Sequence, residues 1–328
     1  MNQKISIIIR SYNEEKHIGR LLAGIQQQDL PENRYEIILV DSGSTDATVN
    51  IATHYNVRIV NIRPEEFSFG KALNIGCWEA TGELLVFASA HVYPVFEDWL
   101  SQLIQPFENP KIALVYGKQR GNEITKFSEH QIFRKWFPDA SDYHQKHPFC
   151  NNANCAIRRT LWERIPYDEA LTGLEDLDWA KKILALGYEI AYKAEAEIIH
   201  VHEETPQKIF NRYKREAIAL KAILPSETFR FLDFVRLFSI NLFSDFYHAF
   251  RQGCLGLHLS SILTFRWMQF WGTYQGFRQK QSLSRQMKQK FYYPNAMKDS
   301  SSTRPDSSQK RIDYAQHQRK SNRYASNH

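Results

Sequence analysis

Residues 82–94, GELLVFASAHVYP, limit the folds open to this chain more than any other stretch. Leu84-Leu85-Val86-Phe87 is a short, wholly apolar run behind a Gly-Glu step. A strand with one wet face alternates apolar and polar residues; a run without alternation is buried on both faces, as inside a parallel sheet. The run stops at Ala88-Ser89-Ala90-His91 and then reaches Pro94, which cannot donate to a continuing ladder. In an open α/β sheet the ligand crevice lies just beyond the carboxyl ends of the strands. Ser89 and His91, two residues apart, would point to one side at its edge. His91 is equally readable as a polar loop residue, because one imidazole does not make a metal site.

The same pattern repeats upstream. Residues 5–9 (ISIII) form a β-branched run ending in Arg10-Ser11-Tyr12-Asn13-Glu14-Glu15, after which Ile18, Leu21, Leu22 and Ile25 recur at helical spacing. Residues 37–40 (IILV) stop at Asp41, and Ser44 or Thr45 is placed to N-cap a helix through Val49 and Ile51. Residues 57–62 read as a third strand. Phe69-Gly70-Lys71 opens a helix with Leu73 and Ile75 that Ala80-Thr81-Gly82 closes. Strand and helix thus alternate up to the central run, which predicts a doubly wound, parallel α/β sheet. Asp41, ending a strand, can accept hydrogen bonds from a ribose or base, or serve as a turn and cap residue. No G-x-G-x-x-G follows the first strand and no G-x-x-x-x-G-K-[ST] occurs, which weakens dehydrogenase and P-loop readings.

Farther along, Trp99, Leu100, Leu103 and Ile104 predict a helix and residues 112–116 a strand. Residues 120–150 are polar and aromatic without clean periodicity and read as a mobile, acceptor-facing loop. Cys150-Asn151-Asn152-Ala153-Asn154 is dense in side-chain amides, which suit sugar hydroxyls or a turn. Leu174-Glu175-Asp176-Leu177-Asp178-Trp179 opens a helix whose apolar side is Leu177, Ala180, Ile183 and Leu184. Its carboxylates suit the positive helix end, and one of them could also take a proton from an alcohol nucleophile. Residues 198–203 alternate as a strand, so His200 and His202 share a face. Lys208, Arg212, Lys214 and Arg215 lie on a helix over residues 206–224; they form a solvated basic face, or a cation set that stabilises a departing diphosphate.

A chain of 328 residues has ample length for a buried core. Its four cysteines, Cys77, Cys150, Cys155 and Cys254, show no C-x-x-C spacing, which predicts reduced thiols in a reducing compartment. No apolar run reaches membrane-spanning length, and Arg10 cuts the N-terminal run too short for a signal peptide. Charge is unevenly placed: residues 207–295 hold 14 Lys/Arg against 4 Asp/Glu, within a chain of net charge +6. An acidic body with a basic C-terminal part predicts an anionic partner for that part.

Taken together, SIIIRSYNEE (6–15), EIILVDSGSTDAT (36–48), GKALNIG (70–76), ATGELLVF (80–87), GLEDLDW (173–179) and IIHVHEE (198–204) resemble the family 2 glycosyltransferases of the GT-A fold. The pieces occur in the family's order over about the first 215 residues. The resemblance implies inversion at the anomeric carbon of a nucleotide-sugar donor, with Arg10, Tyr12, Asn13, Glu14, Asp41, Ser44, Lys71 and Ser89 toward the nucleotide. It implies Asp176 as base beside Glu175; Asn152 and Asn154 are expected toward the acceptor, as is Trp179, for which core packing is the equal alternative. Arg212 and Lys214 would meet the leaving group. Ser89 and His91 stand where the family's metal motif has aspartates, so a divalent cation (Mn²⁺ or Mg²⁺) would fall to His91 and His202; the alternative is neutralisation by protein cations alone.

The expected architecture is an α/β GT-A catalytic domain over residues 1–222, an amphipathic helical region over 223–295 and a disordered polar tail over 296–328. The expected partners are a nucleotide-sugar donor, a glycan or lipid-linked sugar acceptor and a membrane surface, with no nucleic acid. The expected place is the cytoplasm, peripheral on the inner face of the plasma membrane. The Gln-x-x-Arg-Trp signature of processive synthases is absent, which favours non-processive transfer of a hexosyl or deoxyhexosyl unit in bacterial surface glycan assembly. A sugar nucleotidyltransferase or a non-catalytic transferase-like binding module are the alternatives.

Overall fold

The computed structural model describes residues 3–279; the expected tail over 296–328 and the end of the 223–295 region lie outside these residues. The chain runs β1 (Ile5–Ser11), α1 (Ile18–Gln26), β2 (Tyr35–Asp41), α2 (Thr48–Ala52), β3 (Arg58–Asn61), α3 (Phe69–Glu79), β4 (Leu84–Ser89) and β5 (Val92–Pro94). Then come α4 (Trp99–Ile104), β6 (Ile112–Arg120), α5 (Phe127–Trp136), β7 (Asp142–Gln145), β8 (Asn154–Arg158), α6 (Arg159–Arg164), α7 (Glu175–Ala185) and β9 (Glu189–His200). Three long helices follow: α8 (Pro206–Ile223), α9 (Phe231–Arg251) and α10 (Leu255–Arg278).

The strands form one sheet in the order β3-β2-β1-β4-β8-β6-β9-β5, with β7 also on β9. β3, β2, β1 and β4 are parallel, with Ile7 beside Ile37 and Val86. Helices cover both faces, and the alternation of side chains divides the core accordingly. Ile7, Ile9, Leu84 and Val86 enter one apolar layer, and Ile8, Leu85 and Phe87 enter the other. That is why these strands read as unbroken apolar runs. Each fully buried side chain of this size contributes roughly 1.5–3 kcal/mol relative to exposure.

Beyond β4 the sheet departs from simple winding, because β8 enters antiparallel between β4 and β6. Residues 120–150 are not a structureless loop: they hold α5 and β7, anchored by buried Phe127, Phe133 and Phe137. The helix after β2 begins at Thr48, later than expected. Asp46, not Ser44 or Thr45, accepts from the Thr48 N–H (3.0 Å). The strand expected over 198–203 is the end of β9, which stops at His200.

At the C-terminal side α10 packs on α8 through Gly272 and Gly276. A Cβ there would lie 2.6 Å from the Phe210 carbonyl oxygen and 2.5 Å from that of Lys214, so only glycine lets the backbones approach this closely. α9 is tied to α10 by a buried two-point ion pair, Arg266 to both carboxylate oxygens of Asp245 (2.7 and 2.8 Å). No helix among the described residues is long and apolar enough to cross a membrane.

Candidate active site

Beyond the carboxyl ends of β1 and β4 opens a cleft of about 1210 Å³, whose far wall comes from α5, α8, α9 and α10. Register places its floor: Arg10 on β1 lies beside Ser89 on β4, and both line the cleft. Arg10 donates to Glu175 (3.1 Å) and lies over the Phe69 ring at 4.8 Å, with Arg215 over the same ring at 4.5 Å. Two guanidinium groups are thus held at the cleft, where they can meet negative charge.

Leu174 takes the left-handed conformation (φ 57°), an uncommon one for a bulky side chain, and immediately afterwards α7 starts with Glu175 and Asp176 facing the cleft. The Asp176 carboxylate accepts from the backbone N–H of Asn152 (3.0 Å) and of Leu177 (2.8 Å). Burial, and then the neighbouring Glu175 charge, push its pKa up to about 7, against the pull of those hydrogen bonds and of Arg10. A carboxyl held near neutrality and open to a cleft is suited to moving protons. Asn152 also lines the cleft, and its Nδ2 is buried without a hydrogen-bond partner.

The third constellation is a set of imidazoles. β5 pairs antiparallel with the end of β9, Val92 opposite His200, and the Val201 N–H donates to the His91 carbonyl (3.1 Å). This pairing brings the turn after β4 against the end of β9, so that His91, His200 and His202 meet with ring nitrogens within 4.8 Å of one another. The Nδ1 atoms lie 2.7 Å from acceptors: His91 from Glu14, His200 from Gln119, and His202 from Glu129. Burial opposes charge on His91 but Glu14 outweighs it, so its pKa is raised, whereas burial followed by the neighbouring imidazoles pushes His200 well below the usual range. Burial alone would raise Glu129; His202 and Arg212 outweigh it and hold the carboxyl far below its usual range. Arg212 bridges Glu129 (2.7 Å) and Glu204 (2.5 Å) at the cleft wall.

Of the residues expected from sequence, Arg10, Tyr12, Glu14, Ser89, His91, Asn152, Glu175, Asp176, His202 and Arg212 line this cleft. Others do not. Trp179 is fully buried and donates to the Ile165 carbonyl (2.7 Å), so it offers no platform to an acceptor. Asn154 is likewise buried, accepting from the Trp99 indole (2.9 Å) and donating to the Ala196 carbonyl (2.8 Å). Asp41 lies beneath the site. Its two oxygens accept from Ser11, Gly43 and Ser44, which shapes the loop that brings Ser42 to the cleft. Asn13, with φ 53°, accepts from the Thr45 N–H (2.8 Å) in that same loop. Lys71 pairs with Glu66 (3.0 Å) away from the cleft, and Lys214 lies on the side of α8 that α10 covers. Arg215 takes the place expected of Lys214, and spacing from Arg212 signals it, since residues three apart share a helix face. Gln119 and Glu129 had no sequence signal of their own; each is brought to the histidines by pairing in β6 or by α5.

A curled, largely parallel sheet flanked by helices, with a cleft at its strand ends, is the GT-A fold. The family model described as Glycosyl transferase family 2 matches residues 6–165, and over them the chain is similar to that family. It is 29% identical over 223 residues to the O-antigen chain rhamnosyltransferase RfbN of Salmonella typhimurium, covering 64% of this chain and 70% of the relative. With the O-antigen chain rhamnosyltransferase WbaN of Salmonella anatum it shares 30% over 189 residues, covering 54% of this chain and 60% of the relative. Among solved structures it is similar to the mannosyltransferase PcManGT of Pyrobaculum calidifontis, in complex with GDP-Man and Mn²⁺. There the TM-score is 0.57 and the identity 19%, over 84% of this chain and 85% of that one.

Proposed function

We propose that the protein is an inverting, non-processive transferase that moves a hexosyl or deoxyhexosyl unit from a nucleoside diphosphate sugar to a hydroxyl of a bacterial surface glycan under assembly. The observation that carries this reading is Asp176, a cleft carboxyl with its pKa pushed up to about 7 beside Arg10 and Glu175. In the step, the acceptor O–H gives its proton to Asp176 as the new carbon–oxygen bond forms from the face opposite the leaving group. The anomeric carbon–phosphate oxygen bond breaks and the nucleoside diphosphate leaves with the electron pair. Arg10, Arg212 and Arg215 line the cleft, which supports their stabilising the charge on the departing diphosphate. His91 and His202 would hold a divalent ion, whose chemistry when bound is to neutralise diphosphate charge. Their free ring nitrogens and the carboxylates behind them fit such a group.

The names of the Salmonella relatives favour a deoxyhexose such as rhamnose and a glycan acceptor. The exposed apolar side chains of α9 and α10 support a membrane-surface contact and a lipid-linked acceptor. A panel of nucleoside diphosphate sugars tested for donor hydrolysis and for transfer to lipid-linked glycan acceptors checks the reading. Turnover of one donor class with inverted product stereochemistry is expected. Retention of configuration, or no turnover of any donor, would overturn it.

A further inference from the structure

We propose that His91, His200 and His202 together form a three-histidine metal centre that takes a borderline divalent ion, Zn²⁺ or Co²⁺, in preference to Mg²⁺. Glu14, Gln119 and Glu129 act as its orienting partners. The use of such an ion against a diphosphate rests on the transferase reading; the centre itself rests on the geometry.

His200 is the observation that carries furthest. It is 5% exposed, its Nδ1 is engaged by Gln119, and its Nε2 is buried without any hydrogen-bond partner. Buried polar atoms left unpaired cost free energy, so each asks for a partner. Here the neighbours are two more imidazoles. The ring centroid of His202 lies 4.0 Å from that of His200, and that of His91 lies 5.1 Å away.

In all three rings an acceptor oxygen stands at Nδ1, so the Nδ1–H donates and Nε2 keeps its lone pair. Fixing each imidazole from behind in this way is how metal-binding histidines are oriented. A carboxylate-free set of three imidazoles suits Zn²⁺ and Co²⁺, whereas Mg²⁺ prefers oxygen ligands and sheds water reluctantly. Three protein nitrogens also leave a position for an oxygen ligand from the cleft, as in zinc sites that act on substrates. The neighbouring group of Glu129, His202 and Glu204 is the weaker candidate, because Arg212 already bridges its two carboxylates.

The full chain, stripped with chelator, is titrated with Co²⁺ while the visible d–d bands of the bound ion are followed, with Zn²⁺ and Mg²⁺ as competitors. One Co²⁺ per chain should bind, displaced by equimolar Zn²⁺ and retained against a large excess of Mg²⁺. His91→Ala and His200→Ala should abolish the bands, and Gln119→Ala should weaken binding by about 10- to 100-fold. The exposed His54→Ala should change nothing. Where His200→Ala fails to fold, as circular dichroism would reveal, Gln119→Ala and the half-buried His91→Ala decide the matter. Bands that survive in these variants, or displacement of Co²⁺ by Mg²⁺ on equal terms, overturn the centre. Donor hydrolysis that persists in chelator, with no Co²⁺ bands at all, removes the centre and leaves the transferase reading. One Co²⁺ bound through the histidines, with no sugar nucleotide ever hydrolysed, supports the centre and removes that reading.

Discussion

In the proposed transfer, Asp176 as base bears the greatest chemical demand in the cleft. Burial and the Glu175 charge disfavour its ionised form, so the base becomes available only as pH rises through about 7. The expected kcat/KM profile therefore climbs through pH 7 and levels above it, and Glu175→Gln should move its midpoint downward. Asp176→Asn keeps the size of the side chain but cannot take the acceptor proton. Transfer should fall by roughly 10²–10⁴-fold with the acidic limb lost, while donor affinity changes little. Wild-type turnover in that variant would remove Asp176 from the mechanism. The Glu-Asp motif made the place of this residue at the cleft legible, because a motif carries residue type and position together. Trp179 and Asn154 stay open in the sequence for the complementary reason. An indole or an amide can face a sugar or fill a core, and only the packing of α7 and β8 decides which.

Single elements obey the same division between local and distant causes. β1, β2 and β4 were legible because burial on both faces leaves an unbroken apolar run. β8 was not, since its antiparallel entry between β4 and β6 is a matter of long-range pairing that no local spacing records. α5 was hidden by its polar residues, although Phe127, Phe133 and Phe137 are the buried anchors of that segment. The backbone of α5 has structural work of its own: Arg266 donates to the Ser128 carbonyl (3.4 Å), next to the buried Asp245–Arg266 pair. Asp245→Ala would strand that guanidinium in a dry site and should lower stability by about 3–5 kcal/mol. Asp245→Leu combined with Arg266→Met should recover most of the loss, because neither apolar replacement needs a partner. Urea denaturation of the single and double variants measures both. A single-variant loss under about 1 kcal/mol would mean that water reaches the pair.

The molecule as a whole presents an unbalanced surface. On α9 the apolar residues Ile240, Phe243, Tyr247 and Phe250 are exposed at spacings of three and four, so they form one stripe, with Phe243 at 66% and Phe250 at 73%. Leu257, Leu259 and Leu263 extend the apolar surface on α10, and exposed Arg236 and Arg251 stand on α9 among the apolar side chains. An amphipathic surface of this make-up suits the boundary between lipid headgroups and acyl chains better than water. It also begins at the cleft, because Ile240 belongs both to the stripe and to the cleft wall. An enzyme seated on a bilayer by this stripe would meet a lipid-linked acceptor at the rim of its own site. The full chain should therefore co-sediment with vesicles containing anionic lipid and release as salt rises, since exposed charges are screened. Phe243→Ser with Phe250→Ser should abolish sedimentation while leaving donor hydrolysis unchanged, and should slow transfer to lipid-linked acceptors far more than to water-soluble ones. Equal binding to neutral and anionic vesicles would remove the arginines from the contact, and sedimentation of the double variant would remove the stripe.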